Sequence, residues 1–254
     1  MAYDLLDVTG ILFKRRRYQE ADLLAKLWTK ELGIVTVIIK GGMRPKSPFN
    51  AVALPFTEGT FSILTKRRGI SQLRATKDLK QHDELYSDLV KNAYLSYLFD
   101  LADHAFSEYQ PLDEFYGLLV SAFKRIVAGQ DPEIITQMVE LQLLAAYGVM
   151  PHLASCLICG KEQGIFDYSI ALGGVVCSDH FNRVQREHLS PKATGLIRTL
   201  GLIPIDRLGK IGVSDQLKLE TRQAIRKIYQ ATVDLRLSSL NFLDEIRSDI
   251  FPKK

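Results

Sequence analysis

The 254-residue sequence contains no long hydrophobic run and lacks the common catalytic motifs. No stretch of about 18 apolar residues occurs, and the first residues lack the basic and apolar segments of a secretory signal. We therefore expect no transmembrane helix and a cytoplasmic location. The patterns Gly-x4-Gly-Lys-Ser/Thr, Gly-x-Gly-x-x-Gly, His-Glu-x-x-His and Gly-x-Ser-x-Gly are also missing. We expect a protein that is not an enzyme.

Cysteine is scarce, and all 3 cysteines lie in one short segment that ends at a histidine. Two residues separate Cys156 from Cys159 and Cys177 from His180, and seventeen residues separate the two pairs. Two closely spaced donor pairs of this kind are typical of a structural zinc site. We predict that these four residues bind Zn²⁺ and that the closed site has no catalytic role.

Other interpretations of the cysteines fit the sequence less well. A disulfide between Cys156 and Cys159 would leave Cys177 unpaired, and the expected cytoplasmic location disfavours disulfides. A redox dithiol needs a strand and helix around it, whereas residues 147–152 read as a helix end and a loop. The identity of the fourth ligand stays open among His180, Asp179, His152 and His188.

The net charge of +4 hides a reversal of charge along the chain. Residues 1–80 have 15 Lys and Arg against 7 Asp and Glu, whereas residues 81–150 have 3 against 11. Residues 151–254 are mildly basic again, with 15 against 11. This distribution indicates three regions with different partners, and we expect the acidic middle to be a solvated face that repels nucleic acid.

The first 80 residues contain five short runs rich in apolar and β-branched residues, separated by glycine and proline. We predict strands over Val8–Lys14, Leu23–Thr29, Ile34–Lys40, Thr60–Thr65 and Ile70–Thr76. Five short strands in about 75 residues favour an OB-type β-barrel, with an SH3-like barrel as the alternative.

Basic residues cluster near the ends of these predicted strands, with aromatic residues among them. The aromatic residues are Phe13, Tyr18, Phe49, Phe56 and Phe61. Cations that neutralise phosphates, together with rings on which bases stack, are typical of single-stranded nucleic-acid binding. The structural alternative is that the cations are solvated strand ends and the aromatics are core residues.

From about residue 84 the apolar spacing becomes helical. We predict helices over 84–105, 112–128 and from Asp131 onward, then from Pro191 to about Leu200 and from Ser214 to Leu237, with residues 239–243 as a docked tail. The predicted fold class is multi-domain α+β. Its parts are a barrel over 1–80, an acidic helical region over 81–150, a zinc-ribbon-like module over 151–188, and helices over 189–254 that pack with 81–150 as one helical body.

Several short motifs resemble those of the bacterial recombination mediator family RecO. They are Tyr18-x-Glu20-x-Asp22-Leu-Leu, Thr29, Gly33, Lys40-Gly41, Arg44-Pro45-Lys46-Ser47 and the Leu240-x-Phe242-Leu243 ending. The likeness extends through the acidic helices and the cysteine segment, so it covers nearly the whole chain.

The resemblance implies a DNA repair protein that binds single- and double-stranded DNA and anneals complementary strands. With RecR, such proteins help to load the RecA recombinase onto DNA coated with single-strand-binding protein (SSB). The resemblance also implies an OB-fold, a helical domain, in many members a zinc module, and association with the nucleoid. The common zinc module has four cysteines, and His180 stands where the fourth would be.

These expectations assign roles to individual residues. The DNA-binding candidates are Lys14, Arg15, Arg16, Arg17, Lys40, Arg44, Lys46, Lys66, Arg67 and Arg68. For the acidic C-terminal tail of SSB the candidates are Arg222, Arg226 and Lys227, although a solvated helix face explains them equally well. The alternative function is a zinc-containing RNA-binding or ribosome-associated factor. A metal-dependent nuclease is disfavoured by the closed ligand set.

Overall fold

The structure, a computed structural model, describes residues 3–49, 52 and 54–250, with side chains up to Ser248. It is mixed α+β, with a five-stranded sheet at the N-terminus and a mainly helical C-terminal part, as expected. The five strands are β1 (Asp4–Tyr18), β2 (Asp22–Thr29), β3 (Gly33–Ile39), β4 (Thr57–Thr65) and β5 (Ser71–Lys80).

The five strands pair in the order β1-β2-β3-β5-β4 and close into a barrel. Closure depends on β1, whose 15 residues pair antiparallel with β4 through their first part and with β2 through their last part. The contact between β3 and β5 is parallel. A closed sheet leaves no unpaired strand edge, which protects a small barrel from aggregation.

Side chains alternate between the barrel interior and its outer surface. The interior cluster includes Leu23, Ala25 and Leu27 on β2 and Val35, Val37 and Ile39 on β3. Because successive strand residues point to opposite faces, the residues between them lie on the outer surface. The β-branched and apolar runs seen in the sequence therefore supply the core.

The helical part contains seven α-helices among the described residues. They are α1 (Glu84–Ser87), α2 (Leu89–Ala105), α3 (Glu114–Val127), α4 (Pro132–Leu143), α5 (Pro191–Leu202), α6 (Asp215–Thr232) and α7 (Ser238–Ile250). Side chains of Asp131, Ser190 and Ser214 accept hydrogen bonds from the first turns of α4, α5 and α6. These caps satisfy N–H groups that the helix itself leaves unpaired.

Between α4 and α5 lies the cysteine segment, whose only strands are β6 (Phe166–Ser169) and β7 (Gly174–Cys177). These two strands form an antiparallel hairpin. Short 3₁₀ turns occur at Leu144–Tyr147, Ser178–His180 and Ile205–Arg207.

The chain divides into two compact units. One comprises the described residues up to Val120 together with those from Phe242, and the other comprises Ser121–Asn241. The first unit contains the barrel, α1 and α2, and the second contains α4, the cysteine segment, α5 and α6. The four-part division expected from the sequence stays a prediction.

Two helical expectations differ from the structure near the C-terminus. The helix predicted to reach Leu237 ends at Thr232, where Asp234 adopts a left-handed φ of 46°. The segment predicted as a docked tail is helix α7, which buries Leu243 and Arg247. No described helix is both long and apolar enough to cross a membrane.

Gly33 offers a test of the barrel architecture, because it combines a φ of +72° with a backbone approach that leaves no room for a side chain. A Cβ there would lie 2.0 Å from the carbonyl oxygen of Gln110. We expect Gly33→Ala to destabilise the first unit by at least about 2 kcal/mol. Trp28 is the 1 tryptophan of the chain and is buried in this unit, so its fluorescence reports the transition.

The matched control is Gly117→Ala, since a Cβ at this helical position meets open space. This variant should be stabilised by about 0.5–1 kcal/mol, because alanine restricts the unfolded chain. Equal melting of the Gly33→Ala variant and the unmodified chain would contradict the close approach at Gln110.

Candidate metal centre and nucleic-acid surface

Three sulfur atoms and one imidazole nitrogen meet in the second unit. They belong to Cys156, Cys159, Cys177 and His180, and all lie within 4.8 Å of one another. The Sγ atoms of Cys159 and Cys177 are 3.7 Å apart. His180 Nδ1 lies 3.3 Å from Cys177 Sγ and 3.8 Å from Cys156 Sγ. A group of this composition and size can hold a metal ion.

Short backbone turns bring the four side chains together. Gly160 has a φ of 73°, and its N–H donates to the carbonyl of Cys156 at 2.8 Å, which closes the first turn. Cys177 is the last residue of β7, and His180 ends the 3₁₀ turn that follows. The two-residue spacing of each pair therefore places both of its donors on the same side of a tight turn.

The surrounding backbone stabilises a thiolate at Cys156. Burial raises the pKa of this thiol, but hydrogen bonds from the N–H groups of Cys177, Cys159 and Ile158 outweigh that effect and lower the pKa to about 6. The pKa of the Cys177 thiol is raised, mainly by burial and further by the neighbouring sulfurs. Because metals bind the thiolate, Cys156 is prepared as a ligand near neutral pH.

The other candidates for the fourth ligand have different surroundings. His152 Nε2 lies 2.9 Å from Ser155 Oγ, and the Asp179 carboxylate lies 3.1 Å from Lys161 Nζ. Among the described residues, the group around the sulfurs includes His180 and none of these. All three cysteines are free thiols, so the structure contains no Cys156–Cys159 disulfide.

Arg198 on α5 holds the cysteine segment in place, although no motif in the sequence indicates this role. Its guanidinium donates to the carbonyls of Leu153, Ala154 and Glu162 at 2.8, 2.7 and 3.0 Å. It also lies over the Phe166 ring, 4.1 Å from the centroid. Because Arg198 is more than 30 residues from these carbonyls in sequence, neither residue spacing nor apolar periodicity could predict its hydrogen bonds.

The basic cluster on β1 divides into two groups. Lys14 Nζ lies 2.7 Å from the Asp100 carboxylate on α2, so this predicted DNA-binding residue is engaged with the helix. Its neighbours Arg15, Arg16 and Arg17 are exposed, and none of them forms an ion pair with another described residue. Phosphates can therefore reach these three arginines without displacing a carboxylate of the described part of the chain.

A second basic group follows β3. Lys40 Nζ lies 3.0 Å from the Asp22 carboxylate, and Arg44 and Lys46 are exposed in the loop beyond it. The N–H of Gly41 donates to Asp22 at 2.7 Å and, with Lys40, lowers the pKa of that carboxyl group. Asp22 thus ties the β1–β2 turn to the start of this loop.

The third basic group is the turn between β4 and β5. Lys66 is half-buried, whereas Arg67 and Arg68 are exposed. Arg67 Nε lies 3.9 Å from the Asp4 carboxylate, an exposed pair that contributes little to stability. The structure therefore presents three basic surfaces on the first unit.

Most of the aromatic residues expected to stack on bases are core residues. Phe13, Phe56 and Phe61 are buried. Phe13 and Phe56 pack on Phe99 of α2, and their ring centroids lie 5.2 and 5.8 Å from the Phe99 centroid. The stacking interpretation of these three is wrong, because Phe13 and Phe56 pack between sheet and helix and Phe61 lies in the barrel interior, where rings gain more from burial than from exposure.

The residues predicted to bind a partner tail lie on α6, and each of them has an interaction partner. Arg222 pairs with Glu133 at 3.2 Å, Lys227 pairs with Glu187 at 2.9 Å, and Arg226 also has an interaction partner. In the same unit a cavity of about 350 Å³ opens beside the N-terminus of α4. It is lined by residues 128–131, Ile134, Ile135 and 208–211.

Comparison with known proteins agrees with this architecture. The family model described as Recombination protein O N terminal matches residues 1–82, and the model described as Recombination protein O C terminal matches residues 86–241. The chain belongs to the RecO family. The resemblance drawn from the sequence motifs is therefore confirmed.

Relatives named DNA repair protein RecO align over almost their full length. One from Lactobacillus delbrueckii subsp. bulgaricus is 73% identical, over 97% of this chain and 99% of its own. One from Lactobacillus acidophilus is 57% identical over the same shares. One from Levilactobacillus brevis is 34% identical, over 98% of this chain and 96% of its own.

The bracing role of Arg198 can be tested by Arg198→Met, which keeps most of the aliphatic stem but removes the donors. Three carbonyls would lose a charged partner, so we expect a loss of roughly 2–4 kcal/mol in local stability. Amide hydrogen exchange over Cys156–Gly160 should become faster. Lys192→Met, an exposed substitution on the same helix, should leave the exchange unchanged. Equal exchange in the two variants would contradict the bracing role.

Proposed function

We propose that this chain is a non-enzymatic recombination mediator that binds single- and double-stranded DNA and anneals complementary strands. With RecR it would help to load RecA onto SSB-coated DNA. The observation that carries the proposal is family membership along the chain, combined with a barrel whose arginines at 15–17 are exposed and form no ion pair with the residues that the structure describes. The five-stranded closed sheet supports an OB-type domain, a fold that binds oligonucleotides.

Annealing requires electrostatics but no catalytic side chain. Two strands repel one another through their phosphates, and a basic surface that contacts both backbones lowers this repulsion. The candidate surface comprises the three basic groups already described. Arg15, Arg16 and Arg17 are its strongest members, whereas Lys14 and Lys40 each have a carboxylate within 3.0 Å.

A zinc-containing RNA-binding or ribosome-associated factor is the second candidate function. An exposed basic barrel surface and a Cys₃His group would suit both functions. Preference for structured RNA over single-stranded DNA in a direct competition would favour this alternative.

We propose that the Cys₃His group holds a structural zinc ion. A tetrahedral site with Zn–S bonds of about 2.3 Å needs sulfur atoms about 3.8 Å apart. The Sγ separation of 3.7 Å between Cys159 and Cys177 fits this requirement. The ion would hold β7 and the turn at Cys156 together, and Arg198 would fasten that assembly to α5.

The cavity beside α4 offers a second candidate site for the SSB tail. Its wall includes Ile134, Ile135 and Leu208, with Lys210 at the rim. The lining also includes Asp131, whose carboxylate lies 2.6 Å from Lys218 Nζ, so Lys210 is the lining residue that would meet the carboxylate of a short peptide with apolar side chains. The α6 residues Arg222, Arg226 and Lys227 remain proposed contacts, although a tail carboxylate there would compete with Glu133 and Glu187.

The DNA-binding surface can be tested by replacing Arg15, Arg16 and Arg17 together with alanine. We expect weaker binding to single strands. The slope of log K against log salt concentration should become less steep by up to about 2, since each phosphate contact contributes about 0.7 to this slope. Annealing of oligonucleotides coated with the cognate SSB should slow in parallel, without ATP in either case.

A control with the same loss of charge replaces Arg183, Lys192 and Arg207, which are exposed residues of the second unit. This control should keep both the affinity and the salt slope of the unmodified chain. An unchanged slope in the β1 variant would show that the arginines are not phosphate contacts.

The metal proposal predicts about one zinc per chain in protein purified without chelator. His180→Ala should lower the zinc content and the melting temperature, because it removes one of four ligands. His152→Ala and His188→Ala should keep both. Zinc-free protein whose melting temperature is unchanged by Cys156→Ala would show that the Cys₃His group does not hold a structural ion.

A further inference from the structure

Exposed apolar and aromatic side chains surround the basic turn between β4 and β5. Tyr3 is 58% exposed, Leu5 is 63% exposed and Ile70 is 54% exposed. Single exposed apolar residues are common on protein surfaces, but three beside a run of cations form a distinct surface. We call these three residues, with Lys66, Arg67 and Arg68, the hairpin surface.

Strand register continues this surface around the outside of the barrel. Leu5 lies opposite Leu64 on β4, Leu64 lies opposite Gln72 on β5, and Gln72 pairs with Ile38 on β3. Leu64, Gln72 and Ile38 are half-buried. Four neighbouring strands span about 14 Å, so the row is a shallow strip of three apolar side chains and the Gln72 amide that leads away from the turn.

The Tyr3 ring is oriented by a cation. Lys66 Nζ lies over the ring, 4.4 Å from its centroid. A cation–π contact occupies one face of the ring, and the residue as a whole stays 58% exposed. Tyr3 is thus an exposed aromatic residue held beside a positive charge.

The turn that carries the cations is itself held rigidly. The Tyr109 hydroxyl donates to the carbonyl of Gly69 at 2.9 Å and lies 2.7 Å from Ser71 Oγ. The N–H of Arg67, at a φ of 55°, donates to Thr65 Oγ1 at 2.8 Å. Contacts on both sides of the turn reduce the entropy that binding a ligand would otherwise cost.

We propose that Tyr3 stacks on a base of single-stranded DNA while the hairpin cations contact the adjacent phosphates. The proposal rests on the DNA-binding function proposed above and adds the means by which the chain distinguishes single strands from duplex. Unpaired bases can stack on an aromatic ring, whereas bases inside a duplex already stack on one another. Because Phe13, Phe56 and Phe61 are buried, Tyr3 takes the role that the sequence suggested for them.

The test compares two labelled probes, a 20-nucleotide oligo-dT strand and a duplex of the same length. Tyr3→Ala should weaken single-strand binding by about five-fold or more, with the duplex affinity unchanged. The slope of log K against log salt concentration for the Tyr3→Ala variant should match that of the unmodified chain, since the phosphate contacts remain. Tyr3→Phe should bind both probes normally, because stacking needs the ring and not the hydroxyl.

Leu89→Ala is the matched control, since Leu89 is another exposed apolar residue of the same unit, at 55%. It should leave both affinities unchanged, and Trp28 fluorescence confirms that each variant is folded. Equal losses of affinity for both probes in the Tyr3→Ala variant would overturn the stacking role. Unchanged affinity for both probes would also overturn it and would assign the hairpin surface to a protein partner. If the unmodified chain bound neither probe, the proposed function would itself be overturned.

Discussion

The first unit depends on one constraint, the pairing of a single long strand with two neighbours. The early part of β1 pairs with β4 and its late part pairs with β2, so β1 must bend around the barrel to close it. This bend gives β1 two different surroundings. Leu5 lies beside the β4–β5 turn, Lys14 faces α2, and Arg15–Arg17 extend toward the β1–β2 turn.

The acidic residues in the middle of the sequence do more than repel nucleic acid. Asp100 and Asp103 of the acidic middle region lie 2.7 Å from Lys14 and Lys26 of the barrel. Part of the acidic surplus therefore neutralises barrel cations that sit next to α2. The cations left without such partners are the ones available to phosphates, so α2 decides which part of a basic strand faces a ligand.

The cysteine segment combines local and distant determinants. Its donor atoms converge through two tight turns, which are properties of the segment alone. Its attachment to the second unit depends on Arg198, which reaches three carbonyls from a separate helix. A bound zinc ion would thus hold the two turns of the cysteine segment together, and Arg198 would fix the orientation of that segment against α5.

The sequence by itself determined the features that depend on short spacing. Runs of apolar and β-branched residues predicted five strands, helical spacing of apolar residues predicted helices close to α4, α5 and α6, and two closely spaced pairs predicted the Cys₃His group. Motifs spread along the chain were sufficient for the family. These features are local, because neighbouring residues on a strand, helix or turn have fixed relative positions.

Only the tertiary structure decided which side chains are exposed. Phe13 and Tyr3 are both aromatic residues near cations, yet the first is packed on Phe99 and the second lies at the surface. Lys14 and Arg15 are adjacent in sequence, but only Lys14 meets a carboxylate of α2. Such differences arise from contacts between residues that are distant in sequence. A local sequence pattern cannot predict which distant residue a side chain will contact or whether that contact will bury it.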